Sequence, residues 1–124
     1  MYRHKCYFVS GHLDLTREEF LMHYAQELRA AVAEDAEFVI GDAAGSDAMA
    51  QEFLSVIVGR SRVTVHHMFH SPRNNHGFET IGGFQSDKER DEFMTTNSDA
   101  DIAWVRPGRE KSGTARNIAR RGRL

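Results

Sequence analysis

Apolar side chains along this chain fall in short dense runs, separated by longer stretches in which they recur with helical period. Residues 5–10 carry Tyr7, Phe8 and Val9 in succession, a density that fits a strand covered on both faces. Gly11 closes that run. Thr16-Arg17-Glu18-Glu19 has the form of a capping box. Phe20, Tyr24, Leu28, Ala31 and Val32 then follow at helical spacing, which predicts one long helix to about residue 33. A strand over 37–40, a helix from 47 to about 58 and a strand over 62–67, with Val63 and Val65 inside it, come next. The polar stretch 70–85 holds Pro72, Asn74, Asn75, Gly77, Gly82 and Gly83 and reads as a long loop, either a lid over a pocket or a mobile insertion. Ser86-Asp87-Lys88-Glu89 repeats the capping-box form and opens a helix that turns Phe93 and Met94 inward and ends near Asn97. Residues 101–105 read as the last strand, and Ser112-Gly113-Thr114 starts a final helix with Ala115, Ile118 and Ala119 on one side.

The alternation of strand and helix predicts an α/β fold with a mainly parallel sheet. With 124 residues and 40% hydrophobic content, the chain fits one domain, residues 1–124, around a single core. No tandem repeat or heptad array interrupts it.

Charge narrows the partners. A formal net charge of −2 marks neither a nucleic-acid nor a membrane binder, and the local run Arg116, Arg120, Arg121 and Arg123 suits a solvated helix end. The single cysteine, Cys6, excludes an intrachain disulfide and sits beside the first apolar run as a small hydrophobe. Without a spanning apolar run or a secretory leader, the expected setting is the cytoplasm. His66, His67, His70 and His76 cluster in sequence, but neighbouring strand residues point to opposite faces and no Cys or Glu completes a ligand spacing, so no metal is expected. Ser10 and Ser46 likewise lack a base identifiable from sequence.

The candidate chemistry lies just after the strands. Gly41-Asp42-Ala43-Ala44-Gly45-Ser46-Asp47 joins a strand to a helix, a geometry in which glycines and free helix amides can cradle a phosphate. Ser10-Gly11-His12 follows the first strand, and Lys111, Ser112, Gly113 and Thr114 follow the last. In open parallel sheets ligands bind outside the carboxyl ends of the strands, where all three segments converge. Within them Gly41, Gly45 and Ser46 supply backbone, and Asp47 suits a helix first turn. Asp42 faces a ligand, and Arg90 is either a phosphate clamp or one half of a surface pair with Glu89 or Asp91. Asp99 fits the turn before the final strand.

These segments together resemble the SLOG superfamily of Rossmann-like proteins, and within it the small YspA-like members more than the Smf/DprA or LOG proteins. The likeness covers most of the chain. It rests on Phe8-Val9-Ser10-Gly11, on the Gly41 to Asp47 turn, on Arg90-Asp91-Glu92-Phe93-Met94 and on Ser112-Gly113-Thr114. Asp42 stands where that pattern has a second glycine and Asp91 where it has asparagine, and the Pro-Gly-Gly-x-Gly-Thr-x-x-Glu motif of LOG enzymes is absent. The resemblance implies a Rossmann-like three-layer sandwich and a nucleotide or nucleotide-derived ligand, with no cofactor. Three functions follow as expectations. The first is binding of a phosphorylated ligand, with Asp42 and Arg90 adding selectivity. The second is hydrolysis of an N-glycosidic bond in a nucleoside monophosphate, with Asp42 or Asp99 as the acid. The third is a ligand-sensing interaction domain, acting on a partner or within a homo-oligomer.

Overall fold

The dense apolar runs form four of five parallel strands, and the periodic stretches form the helices between them. The computed structural model describes residues 4–123. In chain order these are β1 (Cys6–Val9), α1 (Arg17–His23), α2 (Ala25–Ala33), β2 (Glu37–Gly41), α3 (Ser46–Ile57), β3 (Val63–Met68), β4 (Glu79–Phe84), α4 (Asp87–Thr96), β5 (Ala100–Ile102) and α5 (Gly113–Arg121). The sheet order is β4-β3-β2-β1-β5, with every pairing parallel. Helices α1, α2 and α3 pack on one another, while α4 packs on α5 and against β2, β3 and β4, giving the three layers of a Rossmann-like sandwich. The core between the sheet and the first group of helices is built from Val9, Phe20, Leu28, Phe38, Ile40, Leu54, Val63 and Val65, all nearly fully buried.

Local chemistry explains several boundaries. Thr16 caps α1 reciprocally: its hydroxyl accepts from the Glu19 N–H at 3.1 Å, and the Glu19 carboxylate accepts from the Thr16 N–H at 3.0 Å. Ser86 caps α4 on one side only, because the Glu89 carboxylate takes the Gln85 N–H instead.

Three elements differ from the sequence expectation. The long first helix breaks at Tyr24, which ends α1 and begins α2 with φ −123°. No proline or glycine causes the break. The Tyr24 hydroxyl donates to the Ser10 carbonyl at 2.8 Å and accepts from the Trp104 N–H at 3.0 Å, and these buried bonds hold the helix at that point. Residues 79–84, expected as loop, form β4. The rest of that segment is tied down, since Gln51 bonds both the Asn74 carbonyl and the His76 N–H, and Asn75 brackets Phe78. The last strand stops at Ile102, and Trp104 lies beyond it, stacked on His23 with ring centroids 3.9 Å apart. Of the two residues expected inward from α4, Met94 is buried and Phe93 is exposed.

Candidate functional site

Strand β1 is where the sheet's winding changes direction: the chain builds outward through β2, β3 and β4, then returns to lay β5 on the other side of β1. The segments leaving β1 and β5 therefore diverge, which opens a crevice at their carboxyl ends. A cleft of ≈ 310 Å³ lies there. Ser10, Gly11, Gly41, Asp47, Arg90, Ser112, Gly113 and Thr114 all line it. Other expected residues do not. Gly45 and Ser46 sit behind the wall, Asp42 lies behind Arg73 and Arg90, which do line the cleft, and Lys111 stands exposed outside the lining. Asp99 lies at the amino end of β5, where its N–H donates to the Cys6 carbonyl and its carboxylate accepts from the Cys6 N–H. That is the opposite end of the strands from the cleft, so the sugar-facing role expected of Asp99 has no geometry behind it.

The glycines have a different purpose from the one their sequence pattern suggested. A Cβ on Gly11 would strike the Tyr24 and Ser46 hydroxyls, and one on Gly45 would strike the Leu13 and His12 carbonyls. On Gly41 it would crowd Asp47 and Arg90. All three are small to let this chain pack on itself. Two amides of the 41–47 turn are consumed in the same way: the Ser46 N–H donates to the His12 carbonyl and the Ala43 N–H to Asp47. The turn is a supporting wall more than a cradle.

The start of α5 is the open anion position. Ser112 caps the helix by accepting from the Ala115 N–H at 3.2 Å, while Gly113 and Thr114 occupy the first helical positions, where no intrahelical acceptor exists. A Cβ on Gly113 would meet nothing nearer than Arg116, at 3.6 Å. Arg109 and Arg116 line this side of the cleft and add positive charge to the positive end of the helix dipole.

The facing wall is an ion network. Arg90, only 5% exposed, contacts Asp42 at 2.8 Å, Asp87 at 3.1 Å and Asp91 at 3.0 Å. Arg73 holds the same Asp42 through its guanidinium and its backbone N–H, each at 2.8 Å, and reaches Asp87 at 3.0 Å. Asn117 of α5 donates to Asp91 and joins the two helices. Burial pushes the Asp42 carboxyl up, but the Arg73 hydrogen bonds and both guanidiniums outweigh it, so its pKa lies below the ordinary value. Asp42 is therefore an ionised structural partner. Arg73 and Asn117 went unnoticed in the sequence, because nothing near them has motif form.

Two buried groups face the cleft with less company. Asp47, 7% exposed, accepts the Ala43 N–H at 3.1 Å, and burial pushes its carboxyl up to about 7 despite the nearby Arg90 charge. The Ser10 hydroxyl is buried and has no hydrogen-bond partner, although Ser10 itself is part of the cleft lining. Beside it, His12 is lowered by burial and then by the Arg109 charge, and its Nε2 accepts the Arg106 N–H at 2.9 Å. His12 is thus neutral, with its proton on Nδ1.

Among the described residues no group of three His, Cys, Asp or Glu converges on a metal position, and no helix is long and apolar enough to cross a membrane. Comparison with family models, curated proteins and solved structures finds no match to this chain.

Proposed function

We propose that the cleft binds a small phosphorylated ligand of the nucleotide type, its phosphate resting on the first turn of α5. The observation that carries this reading is the Ser10 hydroxyl, buried without a partner in the same cleft as the free Gly113 and Thr114 amides. Native proteins rarely leave a buried polar group unsatisfied, and a ligand hydroxyl or phosphate oxygen would satisfy it. Charge supports the same orientation. Arg73 and Arg90 are already matched by carboxylates, whereas Arg116, beside α5, bonds the Lys111 carbonyl, and among the described residues the only acid near Arg109 is the exposed Asp14 at 3.5 Å. The volume, ≈ 310 Å³, lies at the small end of ligand cavities and favours a mononucleotide over a dinucleotide. The resemblance of these turns to the SLOG superfamily points the same way. Isothermal titration against nucleoside mono- and diphosphates, ADP-ribose derivatives and inorganic phosphate tests the reading. Saturable binding that weakens in Arg116→Ala is expected, and no binding across the panel overturns it.

Asp47 favours a second reading, N-glycosidic hydrolysis. A carboxyl held near 7 and facing the cleft can both give and take a proton, which the ionised, arginine-bound Asp42 cannot. Chromatography for free base after incubation with each monophosphate separates the two readings. Release that vanishes in Asp47→Asn while binding persists supports cleavage.

A further inference from the structure

We propose that Asp47 meets the bound ligand as a neutral carboxylic acid, donating a hydrogen bond to one of its oxygens, so that the cleft takes up a proton together with a phosphate. This rests on the reading of the cleft as a phosphate site and adds the control of that site by pH.

Hydrogen bonding singles out Asp47 among the acids of the cleft. Asp42, Asp47, Asp87 and Asp91 surround Arg73 and Arg90, and the guanidinium N–H groups go to three of the four. Arg90 gives Nη1 to Asp42 at 2.8 Å and to Asp87 at 3.1 Å, and it gives Nε and Nη2 to Asp91 at 3.1 and 3.0 Å. Arg73 serves Asp42 and Asp87. Asp47 receives none of these donors. Its Oδ2 accepts the Ala43 N–H at 3.1 Å and is walled by Gly41. Its Oδ1 bonds nothing among the described residues and is not one of the sealed polar atoms, so this oxygen opens on the cleft that Asp47 lines. An enclosed carboxylate without a cationic hydrogen bond is costly, whereas a carboxylic acid there carries one O–H donor in search of an acceptor. A ligand oxygen supplies it.

The charges around Asp47 are mixed. Arg90 of α4 favours its anion, while Asp91 of α4 and Asp42 of the turn after β2 oppose it. The Tyr24 phenol lies on the β1 side, and His12, Arg73, Asp87, Arg109 and Arg116 complete the titratable lining. Burial outweighs the Arg90 charge and holds the carboxyl at about 7. A phosphate dianion in the same cleft adds negative charge and raises it further. By linkage the protonated cleft then binds phosphate more tightly, so affinity is greatest below pH 7 and falls as pH rises above it.

Calorimetric titration of the full chain with nucleoside mono- and diphosphates, ADP-ribose derivatives and inorganic phosphate, at pH 8 in two buffers of different ionisation heat, counts the protons taken up from solvent. The parent should take up more than Asp47→Asn, a difference that cancels the titration of the phosphates themselves. From pH 7.5 to 8.5 the parent should also lose about fivefold more affinity than the variant. Carbon-13 NMR at pH 8 should show the Asp47 carboxyl resonance, assigned by its loss in Asp47→Asn, moving toward the protonated position as the tightest binder of that panel is added. Equal proton counts in parent and variant, or an Asp47 carboxyl that stays ionised in the complex, overturn this proposal and leave phosphate binding standing. No binding by any of the panel overturns both.

Discussion

Gly41 faces Asp47 so closely that a methyl carbon on Gly41 would stand 2.6 Å from Asp47 Oδ2. The carboxyl is shut in by backbone on that side, which removes its hydration and favours its neutral form.

That enclosure makes stability depend on pH. The folded Asp47 titrates near 7 against an ordinary value of 3.8, so the native state holds a proton that the unfolded chain releases. Its contribution is complete below the unfolded value and is lost as pH rises through the folded one, a swing of about 4 kcal/mol. Asp47→Asn keeps an acceptor for the Ala43 N–H and removes the ionisation. Urea unfolding should show the variant close to the parent at pH 4 and more stable by several kcal/mol at pH 8.

Asp42 is the reverse case. Removing it leaves Arg90 with Asp87 and Asp91 but strips Arg73 of its buried partner. Asp42→Ala should cost about 3 kcal/mol, the lower end for breaking a buried pair, because Arg90 retains two acids. Limited proteolysis should also open at residues 73–76, which Asp42 helps to hold through its carboxylate and its carbonyl.

Two glycines to alanine should differ in sign. Gly45 has φ +72° and faces the Leu13 carbonyl, so Gly45→Ala should destabilise by at least about 2 kcal/mol. Gly113 opens α5 with free space at its Cβ, and Gly113→Ala should stabilise by up to about 1 kcal/mol. Thermal melts of both variants check the pair.

Ser10→Ala separates ligand binding from folding. Removing a buried hydroxyl without a partner should stabilise the free protein by about 1 kcal/mol and weaken a phosphorylated ligand about tenfold. Melting with and without ligand should move in opposite directions relative to the parent.

The strands and helices that bury one apolar face were legible in the sequence, because burial on that face demands periodicity. Strand β4 was not, since an edge strand exposed on both faces has no apolar pattern to keep, and Gly82 and Gly83 disguised it as loop. The Tyr24 break left no trace because its cause is tertiary, a phenol bonded to residues 14 and 80 positions away. At the cleft both turns were found and given one role, the holding of a phosphate. Small residues after β2 accommodate Asp47 and Arg90, whereas the start of α5 remains open. Sequence reports that a glycine is needed and is silent on which neighbour needs it.

The phenol of Tyr24 joins the segment leaving β1 to the segment leaving β5, spanning the base of the crevice. It acts as a clasp, and the two sides cannot spread at that depth unless one of its two bonds breaks. Breathing that admits a ligand is thereby directed to the outer lip beyond Arg106, where Arg109 and Arg116 line the cleft.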